Sequence, residues 1–294
     1  MVAIILTAVM MVAETVGGIV SNSLALLGDA GHMFTDIFSL SLSLFAIRMA
    51  RRPSTSTKTY GYHRMEIMAA LANGILLIII SLVIFYEAYR RFVSPPEIKG
   101  SIMLVIATIG LLANIVGVLL IRGSYSESLN MRSAFLHIVG DTLSSIGVIV
   151  GGLLIMLKHW YFVDPIISVL IGCIILMGAT GLVFESSGIL MEYVPRDIKL
   201  EEVTKTMLAV SGVIDVHDLH VWTITSGFHS MSSHVMIDDC KISESSGIIR
   251  ELERMLREKH RIGHTTIQLE CENCEAGMVC SIMTRDEGHG HDGA

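Results

Sequence analysis

Long apolar runs, each near the roughly 20 residues that a bilayer-spanning helix needs, alternate with short polar connections through the first two thirds of the chain. They predict six transmembrane helices: Met1 to Val20, Leu24 to Ala50, Met65 to Tyr86, Ser101 to Ile121, Ser133 to Leu157 and Pro165 to Phe184. The pattern changes near Glu192 to Pro195, where the last run ends and charge density rises. Beyond it, Leu200 to Val210 has helical spacing, with Glu201 and Glu202 early, where the helix dipole favours acid. Val213 to Thr225 and His229 to Ile237 are rich in β-branched residues and alternate, which predicts two strands joined by a turn at Ser226-Gly227. Ile248, Ile249, Leu252, Met255 and Leu256 recur at helical spacing, with Ser243 or Ser245 as the cap, and His264 to Glu270 predicts a last strand. The fold class is an α-helical membrane protein: a six-helix transmembrane bundle over 1–192, a cytoplasmic α+β domain of order α-β-β-α-β over 195–280, and a disordered tail over 281–294.

Composition excludes an ordinary soluble domain, since 52% of the 294 residues are hydrophobic, only 17% are charged and the mean hydropathy is +0.62. The lipid bilayer is therefore the first partner. The opening run has no basic flank before it and no small-residue cleavage site after it, so it reads as a first span with a short or missing cytoplasmic lead-in, not as a signal peptide. Net charge is −7, with the acid concentrated after Glu192, which argues against nucleic acid as a partner. Arg48, Arg51, Arg52, Lys58 and Arg64 crowd the connection between the second and third spans and place it in the cytoplasm; Arg90, Arg91 and Lys99 fall on an opposite connection and dilute that signal. The C-terminal domain is then cytoplasmic, where Cys240, Cys271, Cys274 and Cys280 favour metal over disulfides. Cys173 lies within the sixth span.

Two pairs at one spacing carry the chemistry. His32 with Asp36, and His137 with Asp141, lie four residues apart in apolar helices, so each pair presents an imidazole and a carboxylate on one helix face. Four such ligands suit a divalent first-row cation, and at tetrahedral angles they suit zinc best. An ionised Asp at mid-bilayer costs about 2.5–3.5 kcal/mol on insertion scales, so Asp36 and Asp141 need a compensating role. A pair that merely bonds helices together would account for one such spacing, but less readily for two. Asp29 lies on nearly the same stripe as the His32–Asp36 pair, as a supporting carboxylate or an interfacial one. Glu14, Glu66, Glu87, Asp164 and Glu185 read as helix-end carboxylates and not as ligands.

At these residues the chain resembles a known family. Ser21-Asn22-Ser23-Leu24-Ala25-Leu26-Leu27-Gly28-Asp29-Ala30-Gly31-His32-Met33-Phe34-Thr35-Asp36 is similar to the second span of the cation diffusion facilitator family, in its zinc-exporting, cobalt-zinc-cadmium resistance branch. Tyr60-Gly61-Tyr62-His63-Arg64-Met65-Glu66 resembles the signature before the third span, and Phe135-Leu136-His137-Ile138-Val139-Gly140-Asp141 resembles the fifth. The resemblance implies a homodimeric antiporter, not an enzyme, that exchanges a divalent metal for protons by alternating access. It also implies zinc as the preferred ion, because His stands in both pairs where relatives with Asp more often accept cadmium, iron or manganese. Imidazole independently moves the preference away from magnesium and calcium. An imidazole, which titrates near neutral pH, can take a proton when the metal leaves, so His32 and His137 are the expected exchangers. Arg122 to Arg132 lacks the histidines that many eukaryotic vesicular relatives carry between the fourth and fifth spans, which points to a prokaryotic exporter in the plasma (inner) membrane.

In the C-terminal domain the resemblance implies a metallochaperone-like dimerisation module, with His220, His234 and Glu270 at matching positions as ligands of a regulatory Zn2+. His264 and His63 are weaker metal candidates, His63 equally suited to a structural hydrogen bond. His229 and His260 read as solvated side chains. Cys271 and Cys274 have a zinc-compatible spacing that equally suits a redox pair, with Cys280 beyond, and His289 and His291 lie in the tail. No organic cofactor is expected. Two other classes compete. An intramembrane zinc enzyme would need an H-E-x-x-H or a general base beside the pairs, and neither is present. A membrane-anchored metal sensor would leave the intramembrane carboxylates without a role.

Overall fold

A computed structural model describes residues 2–50, 52–121 and 129–271, without the side chains of 2–6, 43, 47, 50, 117, 120, 121 and 129–138. The tail at 281–294, with His289 and His291, and Cys274 and Cys280 lie outside the described residues. The chain divides into two compact units, one made of Met1–Ser56 with Met68–Ser186, the other of Thr57–Ile67 with Ser187–Ala294.

The first unit is helical: α1 (Val2–Ser21), α2 (Leu24–Ala50), α3 (Met65–Val93), α4 (Gly100–Ile121), α5 (Leu129–Lys158) and α6 (Val163–Leu190). By length and apolar character α3, the Val139–Lys158 part of α5 and α6 are long enough to cross a membrane, while α1 and α4 contribute the shorter apolar stretches Thr7–Ser21 and Gly100–Val116. Although 27 residues long, α2 is less apolar because Asp29, His32, Thr35, Asp36 and three serines interrupt it. Helix α1 packs on α2 and α4, α4 packs on α5, and α2 meets α5. Small residues allow close approach elsewhere. A Cβ at Gly172 would lie 2.6 Å from Phe85 of α3, and one at Gly151 would overlap Ile167 of α6.

Two expectations change here. Helix α3 continues to Val93, so Arg90 and Arg91 belong to its last turns and not to a connection. Both are bonded to Glu87 one turn back, as i,i+3 and i,i+4 partners. Arg91 is therefore paired within its own helix. Glu14 is buried within α1 instead of lying at an interface, and its Oε2 has no hydrogen-bond partner among the described residues.

The second unit holds α7 (Leu200–Leu208), β1 (Val213–Thr225), β2 (Phe228–Ile237), α8 (Ile242–His260) and β3 (Ile262–Glu270). The sheet order is β1-β2-β3, with β1 antiparallel and β3 parallel to β2. Gly227 takes φ +71° in the hairpin turn, where a Cβ would be strained. Val203 and Met207 of α7 and Leu252 and Leu256 of α8 are fully buried against Val216, Leu219, Val221, Met231 and Val235 of the sheet. Each such side chain contributes about 1.5–3 kcal/mol of burial. Helix α8 starts at Ile242 after Lys241, which makes no side-chain cap. Ser245 instead donates back to the Ile242 carbonyl at 3.0 Å, so the expected serine cap is not formed. At the other end Arg261 takes the left-handed conformation (φ 57°) that closes the helix and starts β3.

Candidate metal sites

In the first unit, α2 carries His32 and Asp36 one turn apart, and α5 carries Asp141. His32 Nε2 lies 3.8 Å from Asp36 Oδ2 and 4.0 Å from Asp141 Oδ1. One imidazole from one helix thus faces two carboxylates from two helices. Donors bound to zinc at about 2.0–2.1 Å and tetrahedral angles lie about 3.3–3.4 Å apart. The two spacings from His32 exceed that by roughly half an ångström. His137 lies in α5 one turn before Asp141, but its side chain is outside the described residues.

A cavity of about 670 Å³ opens beside this group. Asp29, His32, Asp141 and Ser144 line one wall, Leu77 of α3 and Ile171 and Ile175 of α6 another, and no Lys or Arg is among the lining residues. Asp29 is buried and accepts a hydrogen bond from Ser144 Oγ at 2.9 Å, which couples α2 to α5 just above the ligands. Two carboxylates, Asp29 and Asp141, on the wall of an otherwise apolar cavity whose lining has no Lys or Arg favour a positive guest. Ser144 escaped the sequence reading because a lone serine in an apolar helix carries no signal of its partner.

In the second unit, β1 and β2 place His217 directly opposite His234. His217 Nε2 lies 3.0 Å from Glu270 Oε2, and His234 Nδ1 lies 2.9 Å from Glu270 Oε1. One ligand atom from each of the three falls within 4.8 Å of the others. Sequence reasoning expected His220, His234 and Glu270; the structure joins the last two to His217. The reason is a bulge. Asp218 takes φ 49° and the pairing shifts between His217 and His220, which oppose His234 and Ser232. Three residues of β1 span two of β2, so both histidines share the face of His234. His220 points its Nε2 to Asp218 Oδ1 at 2.9 Å and is 42% exposed. Asp218 in turn lies 3.7 Å from His234 Nε2, so His220 touches the trio only through it.

The remaining candidates stand apart from the trio. His63 packs its ring on Phe228 and His264 meets the edge of Tyr60, both as aromatic contacts within the second unit. Cys271 is exposed and free. Two expectations of solvation also fail. His229 is buried, with Nδ1 3.1 Å from Thr223 Oγ1 on the paired strand. His260 is partly buried, its Nε2 2.8 Å from Thr206 Oγ1, and burial holds its imidazole below the ordinary value while Glu202 pulls it up. In the same unit, Arg64 Nη2 donates to Glu192 Oε1 at 2.6 Å, and Thr225 and Ser226 of the hairpin donate to Glu66.

Two family models match the chain: a cation efflux transmembrane domain over residues 1–191, and the cytoplasmic domain of cation efflux proteins over residues 195–272. The chain is 42% identical to the cation efflux system protein CzcD of Alcaligenes sp. strain CT14, over 93% of this chain and 86% of that protein. It is 40% identical to a cadmium, cobalt and zinc/H(+)-K(+) antiporter of Bacillus subtilis, over 96% and 92% of the two chains. It is 37% identical to the zinc transporter ZitB of Escherichia coli, over 97% and 90%. Among solved structures, the metal-bound C-terminal domain of the CzcD transporter from Cupriavidus metallidurans is 44% identical, covers 25% of this chain and 99% of its own, and has a TM-score of 0.23.

Proposed function

The chain belongs to the cation efflux family, and from that premise we propose that it exports divalent metal ions, zinc foremost, in exchange for protons through a site made by His32, Asp36, His137 and Asp141. The observation that carries this reading is the convergence of His32, Asp36 and Asp141 from two helices beside a cavity whose lining has no fixed positive charge. A cation is the guest such a site favours. An imidazole among the ligands selects zinc over magnesium or calcium, which prefer all-oxygen cages.

Proton exchange follows from the ligand chemistry. Each ligand binds metal only in its deprotonated form, so release of the ion on the acidic side and protonation of the site are one linked event. Asp29, bonded to Ser144, keeps the second carboxylate layer fixed while the ligands change state.

Residues 1–192 form the translocating part in this proposal, and residues 195–280 form a cytoplasmic module that dimerises and senses metal. The trio His217, His234 and Glu270 holds the regulatory Zn2+, and the metal acts there by shifting the balance of conformations. The membrane is the prokaryotic plasma membrane. Zinc movement in sealed proteoliposomes under an imposed pH gradient tests the exchange. Zinc should accumulate on the acidic side and stop when the gradient is collapsed. Transport that ignores the gradient would contradict proton coupling.

A further inference from the structure

Asp164, in the first turn of α6, is fully buried and caps a helix other than its own. Its Oδ1 accepts from Ser23 Oγ at 2.6 Å and from the Ala25 N–H at 3.2 Å, and its Oδ2 accepts from the Leu24 N–H at 2.7 Å. Ser23 Oγ also accepts from the Leu26 N–H at 3.3 Å. Three of the amide donors that every helix start leaves without an intrahelical partner are thus satisfied at the head of α2 by one carboxylate and one hydroxyl. The negative charge also lies on the positive end of the α2 dipole.

The same knot holds α3. Arg91 Nη1 lies 3.8 Å from Asp164 Oδ2 and donates to the Asn22 carbonyl at 2.6 Å. Asn22 (φ 58°) forms the tight α1–α2 turn, and the Lys99 N–H just before α4 donates to the Ser21 carbonyl at 2.9 Å. One buried ion pair therefore ties the start of α2 to the end of α3 and the start of α6. These are the helix that carries His32 and Asp36 and the two that supply the apolar wall of the cavity.

We propose that Asp164 is a positioning residue for the membrane metal site, setting the axial and rotational position of α2 and with it His32 and Asp36. The inference rests on the transport reading above. From Leu24 to His32 is eight residues, about 12 Å of helix, and to Asp36 about 18 Å. Over that length a helix moves as a rod, so a shift at its head reaches the ligands. A rotation at Ser23 would open or close the 3.8 and 4.0 Å spacings around His32.

The test is zinc transport kinetics in proteoliposomes for the parent, Asp164→Asn, Asp164→Glu and Ser23→Ala, with the amount of folded protein measured for each. Asn keeps one acceptor but turns a donor toward an N–H and drops the charge paired with Arg91. We expect Asp164→Asn to raise the KM for zinc on the order of 10-fold and to alter the cadmium-to-zinc ratio, with the maximal rate per folded protein less affected. Asp164→Glu should recover part of the KM, and Ser23→Ala, which leaves the Leu24 and Ala25 bonds, should raise it less. A merely structural role would lower folded yield and leave KM and selectivity unchanged. That outcome, in Asp164→Asn or in Ser23→Ala should the first not fold, overturns the proposal. A parent protein without gradient-driven flux would instead remove the transport reading and this inference with it.

Discussion

His217→Ala should cost the cytoplasmic module most of its zinc affinity, whereas His220→Ala should cost little. His217 is buried, faces His234 across the ladder and reaches Glu270 at 3.0 Å, so its removal deletes one of three converging donors. Loss of an outer-shell partner alone lowers metal affinity about 10–100-fold, so loss of a donor should exceed about 100-fold, or ~2.8 kcal/mol. Without metal the cost falls on stability instead. Glu270 keeps its bonds from Gln268 Nε2 at 2.8 Å and His234 Nδ1 at 2.9 Å, so the loss is that of one charge-assisted bond, about 1.5–3 kcal/mol. His220 makes an exposed pair with Asp218, and its removal should change zinc affinity by less than about 5-fold. The assay is calorimetric zinc titration of the full chain in detergent, in an Asp36→Ala, Asp141→Ala background so that the membrane site does not contribute. Unchanged binding by His217→Ala, or a larger loss in His220→Ala, would refute the reasoning from the bulge.

Two further outcomes follow from the geometry. His32→Asp should raise cadmium or manganese transport relative to zinc, because a third carboxylate replaces the imidazole that faces Asp36 and Asp141; an unchanged metal ratio in competition flux would place selectivity elsewhere. Burial depresses the His260 imidazole in the folded protein, so the unfolded chain binds more protons, and the stability this neutral histidine contributes is complete above about pH 6.5 and falls as the pH drops below that value. His260→Gln should flatten the melting temperature across roughly pH 7.5 to 5.5 relative to the parent; parallel curves would contradict the depression of the His260 imidazole by burial.

The sequence makes the elements legible because their periods differ: apolar runs of helix length, alternation in β1 and β2 broken only where the register shifts, and helical spacing in α8 each mark an observed element, with α3 running seven residues past its expected end. His32, Asp36 and Asp141 are legible for a related reason, since a four-residue spacing is already a geometric statement on a helix. A strand offers no such guarantee. One left-handed residue, Asp218, adds a bulge that reassigns which histidine faces His234, and no local pattern announces it. Long-range pairing is likewise invisible in one dimension. Asp164 reads as a helix-end carboxylate until its partners 139–141 residues away are seen, and Arg91 reads as a topological charge until it is found in the same knot. His229 looks like a polar strand residue, but the register turns it inward onto Thr223.

The central claim is that metal crosses through the ligands on α2 and α5. The most direct measurement is the initial rate of zinc transport into pH-gradient-loaded proteoliposomes by the parent and by Asp36→Ala and Asp141→Ala proteins of equal folded content. Each carboxylate lies within 4.0 Å of His32 Nε2, and in this proposal it serves the ion, not the packing of the bundle. Both variants should therefore fold and insert like the parent while their zinc flux falls to the level of protein-free vesicles. Zinc flux at the parent rate through either variant would contradict the account.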